Sequence, residues 1–327
     1  MKAYCRCISN LLVAVLLSNV ALQTVLAADM AEVTDATGTL ELMPGKELVF
    51  TAGAVLTEGY KSFRVGGEGE IFYSLYDANG SNEVQLPTGL NFDKEGVIRG
   101  TVPLEPQRQE YTIKVLDQGG NKASKKVVFQ INPALAVRVD RLRLTAGANF
   151  NGVPLFPLKI SGGTGKTTIT YLKDGAPVTQ SVGGLYFAPE GGITGNVPNN
   201  TAELDGMAVR VEDEGGGAVV VPLTWNISAP LTARVTGAEL TAGARIPDGF
   251  IPVQISGGTA PIMFKLHDKE GKPAVLPDAI VFNEINGSLE GRVNGSAALT
   301  KNYVIKASDH GGGVLEVPFK LKINKPS

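Results

Sequence analysis

Apolar and polar residues alternate along Tyr111-Thr-Ile-Lys-Val-Leu-Asp117, along Met207-Ala-Val-Arg-Val-Glu-Asp213 and along Tyr303-Val-Ile-Lys-Ala-Ser-Asp309. A period of two marks a strand with one face buried and the other in water. Each run ends in Asp-x-Gly-Gly, with the glycines at Gly119-Gly120, Gly215-Gly216 and Gly311-Gly312, and a second alternating run follows. Aspartate bonds to the backbone of its own turn and glycine takes positive φ at little steric cost, so each segment predicts a β-hairpin. The three aspartates stand 96 residues apart at both steps. The hairpin is therefore one part of a long internal repeat.

Other segments recur in the same order. Thr-Ala-Gly-Ala begins at Thr51, Thr145 and Thr241. A strand ending in a glycine pair follows, closing at Gly67, Gly163 and Gly258, and then an apolar strand ending at Leu75, Leu172 and Leu266. Turns open at Asp77, Asp174 and Asp268, and later come Ile98-Arg-Gly100, Ile193-Thr-Gly195 and Leu289-Glu-Gly291. The second strand of each hairpin ends at Ile131, Ile227 and Ile323. No helical period is found beyond the N-terminal segment. About seven short strands per repeat, with turn signals roughly every 8–12 residues, predict an all-β chain of three tandem immunoglobulin-like β-sandwich domains. Their expected bounds are 39–133, 134–229 and 230–327. The joints Asn132-Pro133-Ala134 and Ser228-Ala229-Pro230 are short and stiffened by proline, which predicts an elongated rod.

Composition changes the picture mainly at the N-terminus. Lys2 and Arg6 precede an apolar stretch over 11–22, and Val25-Leu26-Ala27 makes an acceptable cleavage site. Residues 1–27 thus read as a secretory signal peptide, with a mature chain starting near Ala28 and an acidic N-terminal tail over 28–38. The expected location is periplasmic, cell-surface or secreted. No other stretch is long and apolar enough to predict a membrane span after signal cleavage. Both cysteines, Cys5 and Cys7, fall within the signal, so the mature chain has no disulfide, thiolate nucleophile or cysteine-bound metal. Removing Lys2 and Arg6 takes the formal charge from -2 to -4, and a mildly acidic chain without a basic stripe is not a nucleic-acid binder.

The stretch Leu86-Pro-Thr-Gly-Leu90-Asn-Phe92-Asp-Lys-Glu-Gly96-Val-Ile98-Arg-Gly100-Thr-Val102-Pro103 resembles the bacterial Putative-Ig and dystroglycan-type cadherin-like families. Those families share a Leu-Pro-x-Gly-Leu-x-Phe-Asp segment, a Gly-x-Ile-x-Gly-x-Pro segment and a later alternating strand ending in Asp-x-x-Gly. The second repeat keeps Gly184-Leu-Tyr-Phe187 and Gly192-Ile-Thr-Gly195-Asn-Val-Pro198; the third keeps Ile280-Val-Phe282 and Gly287-Ser-Leu289-Glu-Gly291. The resemblance implies exported, non-catalytic modules that act as spacers or adhesive domains. It implies no particular ligand.

Candidate chemistry is thin. Gly162-Gly-Thr-Gly165-Lys166-Thr167 imitates a phosphate-binding loop, but Ile160 stands where the first glycine belongs and the next residues read as strand. Asp117, Asp213 and Asp309 are calcium candidates by analogy with cadherin joints, against the alternative that each caps its hairpin turn. The only two histidines, His267 and His310, sit at turns and do not repeat, and no catalytic constellation or cofactor site is expected. Trp225 is a possible ligand contact, as a sugar-stacking platform, or else a core or interdomain plug matching Phe129 and Leu321. Tyr111 and Tyr303 are placed for a tyrosine-corner hydrogen bond, which Met207 cannot make.

The reading is an exported non-catalytic protein with a structural or adhesive role at the bacterial cell surface, whose partners are other surface proteins or glycans. Loops at 77–85, 174–183 and 269–277 differ between repeats and offer a contact surface; the oligomeric state is left open. Alternatives are a carbohydrate-binding accessory protein, or a pilus or secretion-system component whose 28–38 tail donates a strand. Small-angle scattering of the mature chain is expected to give a maximum dimension of roughly 100–130 Å, from sandwiches about ten strand residues tall plus loops. The dimension of one compact 300-residue globule, on the order of half that, would refute the rod.

Overall fold

The computed structural model describes residues 40–44, 48–61, 63–67, 69–277, 279–294 and 298–326. The expected signal peptide, with Cys5 and Cys7, and the 28–38 tail lie outside the described residues. The rest is strand after strand, and by packing it divides into two compact units. The first runs through Val139 and adds Leu158–Pro177 and Ala208–Pro222. The second comprises Asp140–Pro157, Val178–Met207 and Leu223–Ser327.

In the first unit the hairpin Gln107–Asp117 and Lys122–Asn132 forms the centre of a four-stranded sheet. Ile71–Tyr76 flanks one side antiparallel, and Leu48–Thr51 flanks the other in parallel register. A three-stranded sheet of Val55–Tyr60, Ile98–Thr101 and Leu90–Phe92 supplies the second layer. Alternate residues of both sheets point inward, as a period of two requires. Phe50, Leu56, Ile98, Ile113, Val115 and Phe129 fill the core, and Phe50 and Phe129 pack with ring centroids 5.2 Å apart. This is the two-layer β-sandwich that the sequence predicts. Apart from Met207, the same unit holds the sheet Ala176–Pro177, Thr167–Lys173, Met207–Asp213 and Ala218–Pro222.

The second unit repeats the plan. Ala238–Thr241 lies parallel to Val314–Asn324, which pairs with Leu299–Asp309 and through it with Ile262–Asp268. Leu240, Phe264, Leu289, Ile305, Phe319 and Leu321 belong to its core. Leu142–Thr145 and Trp225–Ser228 form another parallel pair within this unit.

One glycine of the family-like segment has a clear steric cause. Gly100 has φ 115°, and a Cβ there would stand 2.1 Å from the Gly89 carbonyl oxygen. Gly195 and Gly291 make the same approach to the carbonyls of Gly184 and Ala279, at 2.3 and 2.2 Å. Any side chain would force the two strands apart, so the recurring Ile/Leu-x-Gly is a packing requirement.

Two details depart from expectation. The second repeat carries a short 3₁₀ turn, Ala202–Leu204, where helix was not expected. It stands where the other two repeats begin 11-residue hairpin strands, so Met207–Asp213 is only seven residues long. Asn199-Asn200 and Asp205-Gly206 are the local cause, since both pairs favour turns over strand. The closing strand accordingly breaks into Ala218–Pro222 and Trp225–Ser228. Tyrosine is the second departure. Tyr303 is fully buried and stacks on Phe319 at 5.8 Å, but among the described residues its hydroxyl meets no hydrogen-bond partner, so it makes no corner bond. Tyr111 packs edge-on to Phe129 at 6.2 Å, and burial pushes its hydroxyl pKa up.

An orphaned buried hydroxyl costs stability, whereas the ring beneath it contributes. Tyr303→Phe is therefore expected to leave the midpoint of chemical denaturation unchanged or raise it, and Tyr303→Ala to cost about 3–5 kcal/mol.

Candidate functional site

The repeated hairpin does more than turn the chain. In the first unit Thr51, the first residue of Thr-Ala-Gly-Ala, is fully buried against the hairpin of the second repeat. Its N–H donates to the Gly215 carbonyl at 3.0 Å. Its hydroxyl donates to Asp213 Oδ2 at 2.8 Å and lies 2.8 Å from Thr164 Oγ1. The single proton of Thr51 thus faces two acceptors, of which the carboxylate, bearing the charge, is the stronger. Thr164 in turn accepts from Asn132 Nδ2 at 3.1 Å. Asp213 is also the cap of its own turn: Oδ1 accepts from the N–H groups of Gly215 and Gly217, at 2.9 and 2.8 Å, and Oδ2 from Thr164 N–H at 3.1 Å.

The second unit contains the same arrangement. Thr145 N–H donates to the Gly311 carbonyl at 3.0 Å, and its hydroxyl donates to Asp309 Oδ2 at 2.6 Å. Thr259 Oγ1 lies 3.0 Å from Thr145 Oγ1 and 3.0 Å from Ser228 Oγ. Asp309 accepts from Gly313 N–H at 2.7 Å and Thr259 N–H at 2.9 Å. Hydrogen bonds to an ionised group are short and strong, and each carboxylate here is surrounded by donors.

Sterics complete the lock. A Cβ at Gly217 would stand 2.7 Å from Thr51 Cγ2, and one at Gly313 would stand 2.9 Å from Thr145 Cγ2. A Cβ at Gly216 would stand 3.3 Å from Ala54 Cβ, and one at Gly312 would stand 2.4 Å from Phe150 Cζ. Three consecutive glycines are thus needed so that the tip of one repeat can lie flat on the Thr-Ala-Gly-Ala turn of the one before. Beside the first lock runs a groove of about 240 Å³ whose lining includes Val55, Glu58, Tyr60, Leu135 and Val219.

The first repeat's own hairpin is different. Asp117 Oδ1 accepts from Asn121 N–H at 2.8 Å, and Oδ2 accepts from the Asn121 side-chain amide at 2.9 Å. Asn121 occupies the place of Gly217 and Gly313, and its amide takes the carboxylate oxygen that elsewhere receives a threonine hydroxyl. A Cβ at Gly120 would meet nothing within 4 Å.

The aspartates singled out from sequence are thus turn caps, two of them bonded to a threonine of the preceding repeat. A calcium ion needs six to eight oxygen ligands. Asp213 and Asp309 direct their lone pairs at N–H and O–H donors, and among the described residues no three His, Cys, Asp or Glu side chains converge. Trp225 is half-buried, meets Phe187 edge-on at 6.4 Å, and has an indole N–H without an acceptor among the described residues. A stacking platform needs an open ring face. Lys166 leads directly into strand Thr167–Lys173, so no helix N-terminus follows the loop that imitates a phosphate site. His310 N–H donates to the Thr259 carbonyl at 3.0 Å, and His267 lies within Ile262–Asp268. The threonines were missed as functional residues, although Thr-Ala-Gly-Ala was plain in the sequence. The signal was that the first repeat alone lacks the third glycine.

Thr51→Val and Asp213→Ala are each expected to cost about 1–3 kcal/mol, with a coupling of about 1–2 kcal/mol in a double-mutant cycle read by chemical denaturation. Asp117→Ala with Thr51→Val is the control pair, and its coupling is expected to be near zero.

Residues 60–132 match the family model described as Putative Ig domain. No curated protein matches the chain. Among solved structures it is similar to an I-band fragment of titin, with 14% identity, 88% of this chain and 98% of that one covered, and a TM-score of 0.33. It is likewise similar to extracellular domains 3–5 of Drosophila OTK, with 13% identity, coverage of 90% and 100%, and a TM-score of 0.32. A three-repeat fragment of mouse cadherin-23 gives 12% identity, coverage of 88% and 98%, and a TM-score of 0.22. The matched segment spans the Leu90 to Gly100 motif and the Asp117 hairpin of the first sandwich.

Proposed function

We propose that this chain is an exported, non-catalytic protein of three tandem immunoglobulin-like domains with a structural or adhesive role at the bacterial cell surface. The observation that carries the reading is the twice-repeated lock, Thr51 to Asp213 and Thr145 to Asp309. The acids that recur with the repeat are spent on fixing one repeat to the next. Charge-assisted bonds and side-chain-free contact at each joint resist bending and slippage, which suits a spacer that holds a contact surface away from a cell. The leader over 1–27 supports export, and among the described residues no helix is long and apolar enough to cross a membrane. Its partners on this reading are other surface proteins or glycans.

The test is expression of the full chain, leader included, in a bacterial host. A mature protein starting near Ala28, labelled on intact cells, is expected, together with attachment that is lost on gene deletion and restored by the full chain. Retention in the cytosol with the leader uncut would overturn the reading.

A further inference from the structure

The third repeat keeps the receiving half of the lock. Its strand Ala238–Thr241 lies parallel to Val314–Asn324, as Leu48–Thr51 lies beside Lys122–Asn132 and Leu142–Thr145 beside Trp225–Ser228. The turn that follows has the same backbone. Ala242 N–H donates to the Asn324 carbonyl at 3.0 Å, Gly243 to Val293 at 2.7 Å and Ala244 to Thr241 at 3.1 Å. In the first repeat the matching bonds, Ala52 to Asn132, Gly53 to Val102 and Ala54 to Thr51, are 3.0, 3.0 and 3.1 Å. Burial is what differs. Thr51 and Thr145 are 0% exposed, Ala54 3% and Ala148 4%, whereas Thr241 and Ala244 are both exposed.

We infer that the turn at 241–244 is a docking face for the Asp-x-Gly-Gly-Gly hairpin of a further immunoglobulin-like repeat, one that is none of the three described here. The structure seats such a hairpin on the two equivalent turns, at 51–54 and 145–148, each time with the threonine donating to an aspartate and the third glycine against the threonine methyl. The occupant must bring an aspartate to accept the Thr241 hydroxyl, three glycines to lie on Ala244, and a carbonyl to accept the Thr241 N–H. This chain's own hairpins do not qualify. Those at Asp213 and Asp309 are engaged by Thr51 and Thr145. The one at Asp117 has Asn121 where close contact with threonine requires glycine, and its Oδ2 is already bonded by the Asn121 amide. In sequence, Glu68 follows its glycine pair as Thr164 and Thr259 follow theirs. A second copy is therefore the wrong partner. This inference rests on the joint geometry and is independent of the surface role proposed above.

The experiment builds the missing half onto the mature full chain itself. Asn121→Gly with Glu68→Thr gives the first repeat a hairpin of the seating type, while the 241–244 face stays as it is. Wild type is expected to sediment as a monomer, and the double variant to associate head to tail with rising concentration. Adding Thr241→Val to the double variant should weaken association about tenfold, the worth of one charge-assisted hydrogen bond. Ala244→Arg should abolish it. If the double variant fails to fold, Asn121→Gly alone carries the test, with amide NMR shifts at 241–244 of labelled wild-type chain as the readout. A folded variant that stays monomeric and leaves those amides unmoved up to about 1 mM overturns the inference. So does association indifferent to Thr241→Val and Ala244→Arg. Wild-type self-association that depends on Thr241 overturns the exclusion of this chain's own hairpins as the occupant.

Discussion

A threonine hydroxyl giving its one proton to a carboxylate of the next repeat is the constraint on which the joints depend. Thr51 and Thr145 are fully buried at that contact, and a polar group taken out of water must find a partner or cost stability. Asp213 and Asp309 face the stronger form of this demand because they carry charge. Each side thus needs the other. The aspartate is held in place by its own turn, where Gly215, Gly217 and Gly313 N–H groups converge on Oδ1, so its second oxygen is already aimed when the threonine arrives. That preorganisation removes the ordering cost a flexible surface ion pair would incur.

The glycines set how closely the two repeats meet. They are commonly read as residues that permit a turn, and Gly120, Gly216 and Gly312 do have positive φ. Yet Gly215, Gly217, Gly311 and Gly313 do not, and each would bring a Cβ within 3.0 Å of a neighbouring atom. Their cause lies on both sides of the contact, in Thr51 or Thr145 of the neighbouring repeat and in Asp213, Thr164, Asp309 or Thr259 of their own. Gly100, Gly195 and Gly291 show the same logic inside a sandwich, where a carbonyl of the paired strand fills the space of a side chain.

Much of the fold was legible because a half-buried strand leaves an alternation that survives in a single sequence. Met207, Val209, Val211 and Asp213 are all buried, with their intervening neighbours partly exposed, as the alternation requires. The break between Pro222 and Trp225 was harder to see, since it follows from a shortened partner strand elsewhere in the repeat. The orphaned hydroxyl of Tyr303 depends on what lies above a ring, which no local pattern encodes. At the joints, the aspartates could be found from sequence and their role as turn caps follows from local chemistry. Their second bond could not, because Thr51 and Asp213 stand 162 residues apart and nothing local connects them.

Asn121 gives the series of repeats a polarity. The middle repeat carries both halves of the lock, the threonine as Thr145 and the aspartate as Asp213, so duplicating it would supply every group a new joint needs. The first repeat, copied inward, would arrive with its aspartate already bonded and an asparagine in the way. Lengthening this protein by whole repeats is therefore open to one kind of unit and closed to another, on the strength of a single side chain.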